Sequence, residues 1–519
     1  MAKQFLMAID QGTTGTTTVI LDVTDPRNTK LCGRATIDFP QVYPQPGWVE
    51  HDLDEIWASV RRSATQAQDM ARSSPGGFDP KAVVGIGIAN QRETLCTFER
   101  LTGRPLARAI VWQCKRSTDL CRELKKSGVE DLVRAKTGLV LDPYFSGTKM
   151  MWLMENNPSL AGRVRSGEAV WGTVDSYLLN RLTGGKVFAT EASNASRTLV
   201  YNIEKGAFDP QLAALFKVPS LSSLPEVKDS AGIFGRTKGL DFLPDGIPIS
   251  GILGDQQAAL AGQTCFREGE AKCTYGTGAF LLMNTGPRYL RSKAGLISTV
   301  AWSLEGQLTY AFEGAAFIAG AAVQFLRDQL HLVQDAASTA ALAADGQGAP
   351  QVYFVPALAG LGVPYWDADA RGAIFGLTRG TSVADIVRAT LEGVAFQVTD
   401  LVQAMASDVP AKIETLRVDG GAAANNLLMQ VQANLCGLKV DRPQNLETTA
   451  TGAALFAGLG IGLYSSLDDL VHVRKAERVF SPQETSEAKE LRKRQLEGWQ
   501  RAVAATQVFA GTLHPLPRN

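Results

Sequence analysis

At 519 residues the chain is long enough for roughly two to four separate cores. Lys+Arg and Asp+Glu both number 52, so the formal net charge is zero, which argues against nucleic acid or an anionic membrane surface as the main partner. No uninterrupted apolar run approaches the roughly 20 residues of a membrane-spanning helix, and Lys3 is followed by only five apolar residues before Asp10, too few for a signal peptide.

The first predicted element is a hairpin. The apolar run Phe5–Ile9 ends in Asp10, then comes Gln11-Gly12-Thr13-Thr14-Gly15-Thr16, then a second apolar run, Val19-Ile20-Leu21. A carboxylate, uncrowded backbone N–H groups and several hydroxyls at one tip suit phosphate oxygens and a hydrated Mg²⁺. No Gly-Lys-Ser/Thr follows, so this is not a Walker loop, and an ordinary Gly-Thr hairpin is the alternative. Asp52-Leu-Asp-Glu55 has capping-box spacing and opens a helix with Ile56, Trp57, Val60, Ala64, Ala67 and Met70 on one face. Ser74–Pro80 ends it, and Val83–Ile88 reads as a buried strand. That strand leads into Ala89-Asn90-Gln91-Arg92-Glu93-Thr94, where adjacent Arg92 and Glu93 offer donors and acceptors to a small polyhydroxylated ligand, or simply form a surface ion pair.

Further along, the strand Ile247–Ile252 precedes Leu253-Gly254-Asp255-Gln256-Gln257 and a small-residue helix, Ala258–Gly262. Asp255 at this strand–helix junction is favoured as a carboxylate by the helix dipole. It is a candidate general base that accepts a proton late in phosphoryl transfer, or else a plain N-cap. Ala271-Lys-Cys-Thr-Tyr275-Gly-Thr-Gly278-Ala-Phe-Leu-Leu-Met283 repeats the strand, Gly-Thr turn, strand pattern about half-way along. Two such hairpins opening two halves suggest a duplicated α/β architecture with phosphate between the halves, divided near Gly262–Gly269, giving domains 1–262 and 263–519. Asp335–Pro350 reads as a surface helix end and loop. Ser382 and Asp385 cap a helix carrying Ile386, Val387, Leu391, Val394, Val398, Leu401 and Met405. Leu416-Arg-Val-Asp419-Gly420-Gly421-Ala-Ala-Ala-Asn425-Asn426 is strand, acid, glycine turn, then an Asn-capped helix to Cys436, a further place for a nucleotide. The last forty residues read as a charged peripheral helix. Seven scattered cysteines without C-x-x-C fit buried thiols of a reducing cytoplasm, and four distant histidines make no evident zinc site.

Taken together, these strings resemble the FGGY carbohydrate kinases of the actin/hexokinase/Hsp70 superfamily from about Leu6 to Phe480. They are Asp10–Thr14, Gly47-Trp-Val-Glu-His-Asp52, Asn90–Thr94, Val111-Trp-Gln-Cys114, Asp142-Pro-Tyr-Phe-Ser-Gly-Thr-Lys149, Gly254–Ala258, Tyr275–Gly278 and Asp419–Gly421. Tyr144–Asn156, with Lys149 and Trp152, and Gly372–Glu392 are similar to the family's two signature segments. The resemblance implies two ribonuclease-H-like α/β domains with an interdomain active-site cleft. It also implies ATP- and Mg²⁺-dependent phosphorylation of glycerol, with a longer polyol, a ketose such as xylulose, or an impaired ATP-binding relative as alternatives. By the same resemblance, Arg92, Glu93, Tyr144, Asp255 and Gln256 would hydrogen-bond glycerol, Asp255 would be the general base, and Trp112 and Phe280 would pack on the carbon chain. Asp10 and Asp255 would hold Mg²⁺ through water, and Thr13, Thr14, Gly15, Thr277, Gly320, Gln324, Gly421 and Asn425 would contact ATP. A cytoplasmic homo-oligomer, dimer or tetramer, is implied as well. Two departures stand out: Gly15, Thr16 and Thr17 replace the Ser-Ser-Arg of many glycerol-specific members, and Pro244-Asp-Gly246 replaces a Gly-Thr-Arg that serves a sugar-bisphosphate inhibitor in some.

Overall fold

The computed structural model describes residues 2–345 and 352–512. The opening hairpin forms as its sequence dictates: β1 (Phe5–Gln11) and β2 (Gly15–Asp22) pair antiparallel, Asp10 opposite Thr17. With β3 (Lys30–Asp38), β4 (Val83–Asn90), β5 (Ala231–Arg236) and β6 (Pro248–Gly254) they make a six-stranded sheet ordered β5-β6-β4-β1-β2-β3. The second hairpin, β7 (Ala271–Tyr275) and β8 (Ala279–Gly286), nucleates a seven-stranded sheet. Its other strands are β9 (Ile297–Leu304), β10 (Gln307–Ala316), β11 (Thr415–Asp419), β12 (Lys439–Pro443) and β13 (Ala476–Phe480), in the order β9-β10-β8-β7-β11-β12-β13.

The two sheets repeat one plan. An antiparallel meander, β3-β2-β1 or β10-β8-β7, continues into two parallel strands, β4 and β6 or β11 and β12, and then an antiparallel edge strand. Parallel neighbours need helical crossovers, which cover both faces and account for the continuously apolar strands. This is the ribonuclease-H-like α/β arrangement that the family resemblance implies, with the duplication that the two hairpins suggest.

Helix α1 (Leu53–Ser73) is capped by Asp52 and covers one face of the first sheet, where Ser59 and Ser63 meet Thr16 and Thr18. Of its expected stripe, Met70 is 55% exposed, its sulfur accepting from the Arg34 N–H of edge strand β3, and Trp57 is half-buried. The opposite face receives α3 (Asp255–Gly262) and α8 (Thr448–Gly460); further helices include α2 (Ser146–Asn156), α4 (Gly320–Asp328), α5 (Ser338–Asp345), α6 (Val383–Asp408) and α7 (Asn426–Cys436), besides short ones. At the α3–α8 crossing a Cβ on Gly452 would stand 1.8 Å from the Ala258 carbonyl oxygen, so two small-residue helices touch backbone to backbone. Helix α6 carries the expected Ser382/Asp385 capping box. The predicted surface element at 335–350 is represented by α5, and residues 346–350 lie outside those described. The C-terminal helix α9 (Ser486–Ala510) is charged but not merely peripheral: Trp499 is fully buried, stacked on Phe396 at 5.0 Å, and donates to Asp400. None of the described helices is long and apolar enough to cross a membrane.

Candidate active site

The strand ends Gln11, Asn90, Gly254, Tyr275 and Asp419 close the parallel and hairpin strands that carry the marked motifs, in keeping with ligand binding at carboxyl ends of α/β sheets. Arg92 and Glu93, which follow β4, are buried rather than a surface pair, 3% and 1% exposed. Arg92 Nε lies 3.1 Å from Asp255 Oδ1, and its two Nη atoms grip Glu313 of β10. Gly254 makes this possible, since a Cβ there would stand 2.7 Å from Arg92 Cδ. Glu93 sits at φ 60°, a backbone region unfavourable to a non-glycine residue, and is held there by Arg197 Nε at 2.6 Å and by Ser146 Oγ donating to its carbonyl.

Gly254 itself is the N-cap of α3, so Asp255 is its first residue and accepts from the Gln256 N–H at 2.7 Å. Gln256 Oε1 accepts from the fully buried Lys272 at 2.6 Å. Tyr144 packs edge-on to Trp112 at 5.4 Å. Its backbone carbonyl and that of Phe145 accept from Lys149, a buried lysine whose pKa burial pushes down to about 7. The structure thus brings Arg92, Glu93, Tyr144, Trp112, Asp255 and Gln256 into one connected cluster. Phe280, on β8 opposite Ala315, shares the face of the second sheet that carries Glu313.

The two hairpins stand beside this cluster. Thr13 Oγ1 accepts from Trp112 Nε1 at 2.9 Å, joining the first hairpin to the Arg92–Asp255 cluster; Thr14 is exposed and Gly15 half-buried beside it. In the second hairpin the Thr277 carbonyl accepts from Ala319 and Ala321 N–H, and Gly320 N–H donates to Gly276. Thr277 therefore lies against the start of α4, which also carries the exposed Gln324. Gly420, at φ 84°, approaches the Tyr275 carbonyl so closely that a Cβ would be 2.5 Å away, whereas a Cβ on Gly421 would meet nothing. A short 3₁₀ turn, Gly421–Ala424, separates this glycine pair from α7, whose N-cap Asn425 also donates to Thr339. So Thr277, Gly320 and Gly421 share one open surface around the second hairpin.

Burial and the neighbouring carboxylates of Asp255 and Glu447 push the Asp10 carboxyl up to about 8. Among the described residues no three His, Cys, Asp or Glu converge tightly enough to hold a metal by themselves. A cation sharing its coordination with water and phosphate oxygens, and relieving the Asp10–Asp255 repulsion, fits this donor set. Thr17 bonds Thr36 at 2.9 Å, and Arg34, on the same face of β3, is engaged with Glu447 at 2.7 Å.

The first hairpin is braced from behind. Gln91 Nε2 donates to Gln11 Oε1 and the Gly12 carbonyl and lies 3.3 Å from His51 Nδ1. Nδ1 is therefore the acceptor and Nε2–H faces Gln41 Oε1 at 2.5 Å, the neutral tautomer assigned from its partners. Burial holds the His51 pKa down to about 4. The unfolded chain, near 6.5, binds the extra proton over the interval between, so stability is intact above about pH 6.5 and drains by up to ~3 kcal/mol as pH falls toward 4. His51→Gln is expected to flatten that acid limb of the thermal midpoint between pH 4 and 7; an unchanged limb would contradict it.

Sequence reasoning missed Arg197, Glu313, Lys272 and Glu447. The available signal was a lone charge inside an apolar run, as in Tyr310-Ala-Phe-Glu313-Gly-Ala-Ala316.

The chain matches the models of the FGGY family of carbohydrate kinases, N-terminal domain over residues 5–262 and C-terminal domain over residues 271–461. It is 50% identical over 502 residues to a glycerol kinase of Bdellovibrio bacteriovorus, 96% of this chain and 99% of that protein. It is 49% identical over 503 residues to a glycerol kinase of Carboxydothermus hydrogenoformans, 97% and 98% covered. Among solved structures it superposes on Plasmodium falciparum glycerol kinase with ADP at a TM-score of 0.88 and 34% identity, covering 97% of this chain and 98% of that one. A xylulose kinase from Lactobacillus acidophilus gives 0.84 at 19% identity, covering 98% and 100%, a likeness of fold alone.

Proposed function

The chain belongs to the FGGY family of carbohydrate kinases, and from that premise we propose that it transfers the γ-phosphoryl group of ATP to glycerol, giving sn-glycerol 3-phosphate. The carrying observation is the near-full-length match to glycerol kinases, and the buried Arg92–Glu93–Asp255 cluster supplies the chemistry.

In this reading Arg92 and Gln256 donate to the triol's hydroxyl oxygens, Glu93 and Asp255 accept from its hydroxyl protons, and Tyr144 adds a phenolic contact. Trp112 and Phe280 cover the carbon chain. Asp255 takes the proton of the attacking hydroxyl late, since an alcohol is too weak an acid to lose it before the phosphoryl group has begun to move. Thr13, Thr14 and Gly15 on one side and Thr277, Gly320, Gln324, Gly421 and Asn425 on the other would hold the nucleotide, their backbone N–H groups receiving phosphate. Asp10 and Asp255 would hold Mg²⁺ through water. The ion, when bound, offsets charge on the phosphate oxygens. Residues 1–262 would form the acceptor domain and 263–519 the nucleotide domain, with closure excluding water from the transfer. Seven free cysteines, five of them buried, suit a cytoplasmic enzyme, and a homo-oligomer accords with the family resemblance.

A coupled ADP-release assay with glycerol, xylulose and gluconate tests the substrate. The kcat/KM for glycerol is expected to exceed the others by at least roughly a hundredfold. A clear preference for either sugar derivative overturns the assignment.

A further inference from the structure

Behind the acceptor cluster four charges close a ring. Arg92 grips Glu313, with Nη2 to Oε1 at 3.2 Å; Glu313 Oε1 also accepts from Arg197 Nη2 at 2.8 Å. Arg197 Nε donates to Glu93 at 2.6 Å, and Glu93 lies 4.0 Å from Arg92 Nε. All four side chains are at most 2% exposed. Arg197 Nη1 has no hydrogen-bond partner among the described residues, and its guanidinium lies over the rings of Tyr144 and Phe145 at 5.8 and 5.2 Å.

Each of these ions is costly to bury, and the alternating order compensates them only when all four corners are present. Three corners come from the first half of the chain. The fourth, Glu313, stands on β10 of the second sheet. In the register of that sheet Glu313 lies opposite Leu282 and Ala315 opposite Phe280, so Glu313 and Phe280 share a face. One strand pair of the second half thus presents an apolar wall and a carboxylate to the first half together.

Arg92 divides its donors, the Nη fork on Glu313 and Nε toward Asp255. A guanidinium released from Glu313 could place its whole fork on the Asp255 carboxylate, the more favourable bidentate geometry. The ring therefore holds Arg92 in a shared position and leaves Asp255 an oxygen for the acceptor hydroxyl.

We infer that Glu313 and Arg197 are positioning residues of the acceptor site. Glu313, reaching from the second sheet, holds the Arg92 fork off Asp255, and Arg197 fixes Glu93, so the pocket is complete only when the two halves are docked. This rests on the reading of Arg92 and Glu93 as glycerol ligands.

Glu313→Gln, nearly isosteric, is compared with wild type and with Arg92→Lys by steady-state kinetics in glycerol at saturating Mg-ATP and in ATP at saturating glycerol. Loss of a charge-assisted pair predicts a rise of about tenfold or more in KM for glycerol with KM for ATP within about twofold. The thermal midpoint is recorded alongside. A lowered midpoint with both KM values unchanged, or both raised alike, makes the ring a fold element only and overturns the proposal. If Arg92→Lys leaves KM for glycerol unchanged, the ligand reading itself fails. If Arg92→Lys raises it and Glu313→Gln does not, only the positioning role fails. Should Glu313→Gln not fold, Arg197→Lys is put through the same comparison, with the same split expected and the same outcomes overturning it.

Discussion

Replacing Asp255 by asparagine is expected to lower kcat for glycerol phosphorylation by roughly 10²- to 10⁴-fold, the usual contribution of a positioned general base. The amide keeps the shape and an acceptor oxygen, so the Gln256 N–H bond at 2.7 Å and the fold of α3 should survive. What it loses is the capacity to take a proton and the charge that pairs with Arg92 at 3.1 Å. Because that ion pair also orders Arg92, KM for glycerol should rise with the loss of kcat, while binding of metal-free ATP followed by calorimetry, which does not draw on the proposed Mg²⁺ site, stays within a few-fold. Glycerol-dependent ADP release at a near wild-type rate would remove Asp255 from the role of base.

Asp10→Asn should separate stability from activity. Asp10 is crowded by burial and by the carboxylates of Asp255 and Glu447, which push its own pKa up to about 8. Asparagine removes the cost of burying that acid, whether it is carried as an anion or has to take up a proton, so the nucleotide-free protein should melt higher, by roughly 1–4 °C. The same change removes a ligand proposed for hydrated Mg²⁺, a term worth several kcal/mol to phosphoryl transfer, so turnover should fall at least about a hundredfold. The further rise in melting point that Mg-ATP gives the wild type should shrink in parallel, as binding to the folded state alone stabilises it. A variant that melts lower and still turns over would place Asp10 in the fold and not in the site.

Much of the architecture was legible because it is local. A five-residue apolar run, an acid and a Gly-Thr turn can hardly be anything but a hairpin, and both hairpins formed in the expected places. Helix ends were equally readable: Ser382 with Asp385, Asn425 and Asp52 each cap the helix they precede, because an orphan N–H is satisfied by a side chain a few residues away. Met70 and the last helix were misjudged for one reason. Periodicity identifies a face but not what comes to cover it, and Trp499 is buried only because Phe396 and Asp400 of α6 arrive there.

The acceptor site divides the same way. Arg92, Glu93, Asp255 and Gln256 were marked by strand ends and by the family resemblance, since catalytic chemistry gathers where strands stop. Arg197, Glu313 and Lys272 carry no such mark. Each is one charge in an apolar or small-residue stretch, and Arg197 and Glu313 find each other across 116 positions of the chain. The sequence by itself therefore determined the two hairpins and the α/β alternation, which rest on short-range geometry, while the kinase chemistry came from the resemblance of its ordered motifs to a family. Only the tertiary structure decided that Arg92 and Glu93 are a buried pair and not a surface one, and that a carboxylate from the second sheet completes them. That outcome depends on desolvation and on charges brought together across the fold, and neither is encoded in any local window of residues.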